Sequence, residues 1–379
     1  MIKNKVISFF KENYPNEPIA IFSPGRINLI GEHTDYNEGF VFPAAIDKGI
    51  VAVFGRSDTK ISSIHALDLQ ETYSFSIDNI KPLSKDNWAN YILGVIVEIQ
   101  NKGRNIDDFN VVFGGDIPIG AGLSSSAALE NSIVYGLNEL FQLGLSKMEM
   151  ITISQKAEHN YVGVKCGIMD QYASMFGQKN KALLLDCRSM EAIPYPIDFK
   201  EHQLILIDTH VKHSLADSAY NNRREVCEKV ASLLKIKALR DAAAEELNTI
   251  KENISKEEYN MALYVIEENS RVQKAANAML KEDLEALGDL LFKSHEGLQK
   301  LYKVSCAELD FLVIKAGENT NVLGARMMGG GFGGCTINII EKNALDLFSK
   351  DTSRSYQEMF NKECSIYKVK LSDGTHLIQ

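Results

Sequence analysis

Apolar positions in the first 200 residues fall in short strand-like runs, such as Ile50–Phe54 and Asn110–Phe113, separated by stretches with helical spacing. One such stretch, Ser126–Leu143, leads to Gly144, where a helix C-cap is expected. The pattern predicts an α/β arrangement. From Ser214 to about Ala316 apolar residues recur every three or four positions, through NRREVCEKVASLLK and KEDLEALGDLLFKSHEGLQKLY, which predicts a helical layer. Strand-like runs return at Cys335–Ile340 and Ser365–Leu371, so the second half reads as α+β. The loop near Pro194–Lys200 is the expected boundary between a first domain, 1–197, and a second, 198–379.

Composition narrows the class of protein. The 379 residues are 45% hydrophobic and 24% charged, which suits a folded chain long enough to exceed one comfortable core. A net charge of −9 opposes nucleic acid and anionic membranes, so any phosphate site must be built locally. No apolar run approaches the ~20 residues of a membrane span. The opening MIKNKVISFF meets Lys11, Glu12 and Asn13 before a secretory signal has built up. Six cysteines lie 21 or more residues apart without a CxxC pair, which suits reduced thiols in a cytoplasm rather than disulfides or zinc.

Three segments are rich in chemistry. The first, Ser23 to Gly39, places Arg26, Asn28, Glu32, His33, Asp35 and Asn37 among glycines. Carboxylates there could accept from sugar hydroxyls, and Arg26 could offset phosphate charge; a polar turn with Asp35 or Asn37 bonded to its own backbone is the plainer alternative. A calcium loop is excluded, because Gly39 and Ile46 stand where ligands are required. The second segment, Gly114 to Glu130, carries Gly120-Ala121-Gly122-Leu123-Ser124-Ser125-Ser126 between a strand-like run and a helix. A helix N-terminus with free N–H groups can hold phosphate, although the lysine of the common phosphate loop is missing and so is the third glycine of a dinucleotide fingerprint. A simple serine cap is its alternative. The third, Leu323 to Thr336, has five glycines in six residues ahead of an alternating strand, a backbone that can approach a ligand closely or merely turn. Between the second and third, Asp170 in Cys166-Gly-Ile-Met-Asp-Gln stands at a helix start, where capping is again the plain reading.

In this order the three segments resemble the signatures of the GHMP kinases. The run Gly25-Arg-Ile-Asn-Leu-Ile-Gly-Glu-His-Thr-Asp-Tyr-Asn37 resembles the signature of the members that phosphorylate galactose. Further similarity at Trp88–Tyr91, Cys166–Gln171 and Val304–Asp310 extends it over nearly the whole chain. The resemblance implies a two-domain GHMP kinase fold, α/β and α+β, with a left-handed βαβ crossover and the active site between the domains. It implies ATP and Mg2+ as cofactors, and transfer of the γ-phosphoryl group to the 1-hydroxyl of galactose.

The same resemblance implies roles for residues. Asp170 and Arg26 are the catalytic pair beside that hydroxyl. Glu32, His33, Asp35, the Gly167 backbone and Tyr220 join Asp170 in binding the sugar. Gly120 to Ser126 hold the nucleotide, Trp88 and Tyr91 flank its base, and Ser126 with Glu158 ligate the metal. A cytoplasmic monomer is expected, with neither nucleic acid nor membrane as partner. Two rivals use the same motifs: a kinase for N-acetylgalactosamine, and a sugar sensor that regulates transcription without turnover. Sensors of that kind are damaged around the serine motif, which is intact here at Ser124–Ala128.

Overall fold

The computed structural model describes residues 2–84, 87–118, 120–211 and 216–378. Ile119 of the second segment and Ser214, the expected start of the helical layer, lie outside these residues.

The strands are β1 (Ile19–Asn28), β2 (Phe40–Val41), β3 (Pro43–Arg56), β4 (Ser62–Ala66), β5 (Glu71–Phe75), β6 (Phe109–Gly115), β7 (Lys181–Asp186), β8 (Glu191–Pro196), β9 (His202–Asp208), β10 (Val322–Met327), β11 (Cys335–Glu341), β12 (Ser365–Lys368) and β13 (His376–Leu377). The helices are α1 (Ile2–Asn13), α2 (Ala89–Asn101), α3 (Ser125–Phe141), α4 (Lys147–Ala157), α5 (Met169–Phe176), α6 (Ala216–Leu234), α7 (Lys256–Leu280), α8 (Leu284–Gly297), α9 (Ala307–Gly317) and α10 (Leu345–Phe360). A six-stranded sheet has the order β13-β1-β3-β6-β4-β5, with β4 and β6 parallel and the other pairs antiparallel. A four-stranded antiparallel sheet runs β10-β11-β9-β12, and β2, β7 and β8 form a third.

Strand β3 reads as an almost unbroken apolar run because both faces of its sheet are covered. Val51 and Val53 pack with Val6 and Phe10 of α1, while Ala52 and Phe54 join the main core under α3. In the second half, α6 and α7 share a core with Leu298 and Tyr302, and α9 and α10 cover the four-stranded sheet. The halves interlock. Val272 and Ala275 of α7 pack into the main core, and the tail after β12 returns to pair β13 with β1.

Several boundaries differ from the sequence reading. Helix α3 ends at Phe141, two residues earlier than expected, because Gln142 takes the left-handed cap at φ 52° ahead of Gly144. Pro194 lies within β8, an edge strand where the missing N–H costs no ladder bond, so the connection to β9 is 197–201. Strand β12 stops at Lys368, and Leu371 instead forms a single bridge to Ile46.

Candidate active site

The three glycine-bearing segments meet at one place. Strand β1 delivers Arg26, whose backbone N–H donates to the Leu123 carbonyl at 3.1 Å and whose Nη1 donates to the Gly122 carbonyl at 2.6 Å. The first segment is thus tied to the second. Its Glu32 is tied to the third: Glu32 Oε1 accepts from Arg326 Nη2 at 3.0 Å and from the Gly329 N–H at 2.9 Å. Gly329, at φ +82°, passes so near the second segment that a Cβ there would lie 3.2 Å from the Gly122 carbonyl.

Two cavities open at this junction. A small one of about 120 Å³ is lined by Arg26, Glu32, His33, Asp35, Gly167, Asp170 and Tyr220, among others. A larger one of about 360 Å³ is lined by Tyr91, Gly120 to Ser126 and the Gly330-Gly331-Phe332 turn. Arg26, Glu158, Val164, Asp170, Tyr220 and Gly330 line both. Trp88 lines neither: its indole donates to Glu71 at 2.7 Å and tilts against Phe113.

Asp170 sits in the first turn of α5 but caps nothing, because Arg26 claims its carboxylate. Arg26 Nε and Nη2 donate to its two oxygens, each at 2.8 Å, and the Ser124 hydroxyl donates to Oδ2. A carboxylate offers about four lone-pair directions, so room remains for one further donor from the cavity. Ser124 reaches Asp170 because it adopts φ 58° just before α3.

The sugar-facing residues suggested by sequence gather in the small cavity. Asp35 Oδ1 accepts from the Tyr36 N–H at 2.9 Å, so the plain turn bond and the cavity position coexist. Burial first, then the charges of Asp170 and Glu32, push the Asp35 carboxyl up to about 7. Gly167 is forced by this packing, since a Cβ there would stand 1.9 Å from Asp35 Oδ2. His33 adopts φ 65°, an uncommon conformation for a side chain of its size. Its Nδ1 lies 2.7 Å from the Tyr36 hydroxyl, and its buried Nε2 has no hydrogen-bond partner among the described residues. Burial, aided by Arg223, holds the imidazole down at about 3, so it is neutral.

Sequence reading missed the scaffold behind these groups. Tyr302 stacks obliquely on His33 at 4.8 Å and meets the Tyr36 hydroxyl at 2.7 Å, and Tyr264 donates to the Glu32 carbonyl at 3.1 Å. Buried Glu268 of α7 accepts from the Gly31 N–H at 3.0 Å. Arg326 is fully buried and spends its other donors on the Asn28, Leu29 and Met327 carbonyls. Its position inside a glycine-rich motif was the one available signal.

Glu158, in the π-helical turn after α4, is buried with Oε1 3.4 Å from the Ser126 hydroxyl and Oε2 accepting from Gln171 at 2.9 Å. Burial first, then Asp170, push its carboxyl up to about 7. Two hard oxygen donors in the wall of the larger cavity suit magnesium, which takes few protein ligands and completes its shell with water and substrate phosphate. No cluster of three or more His, Cys, Asp or Glu suited to a metal occurs among the described residues.

Known proteins match this chain along its length. Residues 90–178 match the family model for the GHMP kinases N terminal domain, 273–351 that for GHMP kinases C terminal, and 8–56 the galactokinase galactose-binding signature. The chain is 40% identical to a galactokinase of Thermotoga petrophila over 95% of its own length and 100% of that protein's. It is also 40% identical to a galactokinase of Fusobacterium nucleatum, covering 99% of each. The crystal structure of Lactococcus lactis galactokinase complexed with galactose superposes with a TM-score of 0.94 at 33% identity, over 98% of both chains.

Proposed function

This chain belongs to the galactokinases of the GHMP kinase family, ATP-dependent sugar kinases, and on that premise we propose how its own residues carry out the transfer. The γ-phosphoryl group of ATP passes to the 1-hydroxyl of galactose where the two cavities join, giving galactose 1-phosphate and ADP. The observation that carries this reading is the two-pronged Arg26–Asp170 pair, which faces both cavities at once.

Galactose fits the small cavity, with Glu32, His33, Asp35, Tyr220 and the Gly167 backbone on its other groups. Neutral His33 can donate or accept there, and Glu32, its Oε1 already engaged, offers Oε2 to a hydroxyl. ATP fits the larger cavity, its phosphates against the free N–H groups at the start of α3 and its base toward Tyr91. Ser126 and Glu158 would hold Mg2+, which would supply positive charge to offset that of the phosphates.

Phosphoryl transfer through a loose transition state demands alignment and charge stabilisation more than strong base catalysis. Asp170 aligns the attacking hydroxyl through its remaining lone pair and takes its proton as the sugar O–P bond forms and the bond from the γ-phosphorus to the β–γ bridging oxygen breaks, its electron pair leaving on ADP. Arg26, anchored by Gly122 and Asp170, adds positive charge beside the transferring group. Domains 1–197 and 198–379 supply the two walls, linked by Arg326 and Glu32. A cytoplasmic monomer is in keeping with a net charge of −9 and six unpaired cysteines.

An ADP-release assay over a sugar panel tests the reading. Rapid turnover with galactose, and little with glucose or N-acetylgalactosamine, is expected. Sugar binding without ADP release would favour the sensor, and preference for N-acetylgalactosamine the rival kinase.

A further inference from the structure

Behind Glu158 lies a second carboxylate for which the mechanism above has no use. Glu130 is fully buried on α3, one turn beyond Ser126 and on the same face of the helix. Its Oε2 accepts from Gln171 Nε2 at 3.3 Å, and its Oε1 has no partner among the described residues. The same Gln171 Nε2 donates to Glu158 Oε2 at 2.9 Å. A primary amide has two N–H bonds on one nitrogen, and here one is directed to each carboxyl group.

This arrangement decides which way the Gln171 amide points. Turned over, it would set its carbonyl oxygen against two carboxyl groups and remove the donor from Glu158. The helix around it is fixed independently: Asn131 Nδ2 donates to the Gln171 backbone carbonyl at 2.9 Å, and Ser154 donates to Asn131 Oδ1 at 2.9 Å. The amide orientation is left to be set by its acceptors: Glu130 Oε2 at 3.3 Å is the oxygen acceptor on its far side, with the weaker Cys166 Sγ at 3.8 Å. With Glu158 held at Oε2, its Oε1 is the oxygen that faces Ser126. A buried carboxyl group with a single partner burdens the core in a way that methionine would not, so packing alone does not account for it.

We propose that Glu130 is a positioning residue for the metal–nucleotide complex, acting through Gln171 to fix the rotamer of Glu158 and so present one defined oxygen to the cation. This inference rests on the reading of Ser126 and Glu158 as the metal-holding pair. Loss of an outer partner of this kind typically weakens metal binding by about 10–100-fold.

The test measures Mn2+ binding by electron paramagnetic resonance in the presence of a non-hydrolysable ATP analogue, alongside the Mg2+ dependence of turnover, the galactose KM and the melting temperature. Glu130→Met, which removes the acceptor at similar volume, should weaken Mn2+ binding about 10-fold or more while leaving the galactose KM within about twofold. Glu130→Gln, which keeps an oxygen acceptor, should restore Mn2+ binding to within about threefold. Gln171→Leu should match Glu130→Met, and the double variant should be no worse than either single one, so the proposal stays testable if one variant fails to fold. A melting-temperature loss in Glu130→Met with unchanged Mn2+ binding, in a protein where Glu158→Ala does weaken it, would overturn the proposal and leave the metal assignment intact. Equal loss in Glu130→Gln and Glu130→Met would also overturn it, because an oxygen acceptor at this position would then make no difference. Unchanged binding in Glu158→Ala would instead remove the metal assignment on which the proposal stands.

Discussion

Two arginine–carboxylate pairs each place a carboxylate in the wall of the same small cavity, in different settings. Arg26 meets Asp170 with its side chain 5% exposed and the carboxylate 26% exposed, so the pair faces both cavities. Arg326 meets Glu32 at 0% and 2%, and its remaining donors go to main-chain carbonyls of the first and third segments. In the first pair the guanidinium leaves the carboxylate a free direction toward the cavities, which under the proposed function is taken by the attacking hydroxyl. In the second it clamps two loops and aims a carboxylate. The same pair of groups leaves a carboxylate open to a ligand or closed off within the fold according to what that carboxylate can still touch.

The largest effect expected from breaking the comparison is at Asp170. Asp170→Asn should lower kcat by about 10²–10⁴ while the protein folds and binds galactose, checked by turnover and by calorimetry with the sugar. Arg26→Ala should also reduce kcat more than it weakens galactose binding; an effect confined to the galactose KM would make Arg26 a binding residue only.

Arg326→Met should act on the fold instead. Leaving Glu32 buried and unpaired costs about 3–5 kcal/mol, read in urea unfolding, and Glu32→Gln in the same chain should recover part of it. Comparable unfolding curves for Arg326→Met and the parent would contradict the clamp.

Asp35 lies between these extremes. Its folded-state value near 7 is raised above that of the unfolded chain, so its contribution to stability is complete below about pH 4 and is lost as pH rises through 7. Asp35→Asn should therefore stabilise the ligand-free protein at pH 8, by at most about 4 kcal/mol, and flatten its melting-temperature profile between pH 5 and 8. Asp35→Ala should impair galactose strongly and narrow the galactose-to-glucose ratio of kcat/KM, because a buried carboxylate no longer reads the 4-hydroxyl. A ratio that stays constant would move that role to another residue.

The smallest effect belongs to Ser126→Ala, where loss of one oxygen ligand should raise the Mg2+ needed for half-maximal rate about 10-fold at unchanged galactose KM. Overlapping magnesium titrations would leave Ser126 as a helix-start residue only.

How much was legible in the chain differs from one group to the next. Glu32, His33, Asp35 and the Gly120–Ser126 loop stood out because polar groups and glycines are dense there and serve little purpose in a bland core. Tyr302, Glu268 and Glu130 did not, since each sits in an ordinary helical pattern and acquires its role only from a partner far away in sequence. Trp88, expected beside the base from the resemblance at Trp88–Tyr91, donates its indole N–H to Glu71, a partner 17 positions away that no local pattern names.

The sequence by itself determined the order of strands and helices, the three loops able to approach a ligand, and the kind of chemistry those loops support. Those properties follow from local side-chain periodicity and local backbone freedom. Tertiary structure alone decided that Asp170 serves Arg26 and Ser124 rather than capping its helix, that Arg326 aims Glu32, and that Asp35 is pushed toward neutrality. Hydrogen-bond partners and burial are set by residues 46 to 294 positions away along the chain, and no local pattern encodes which of them will arrive.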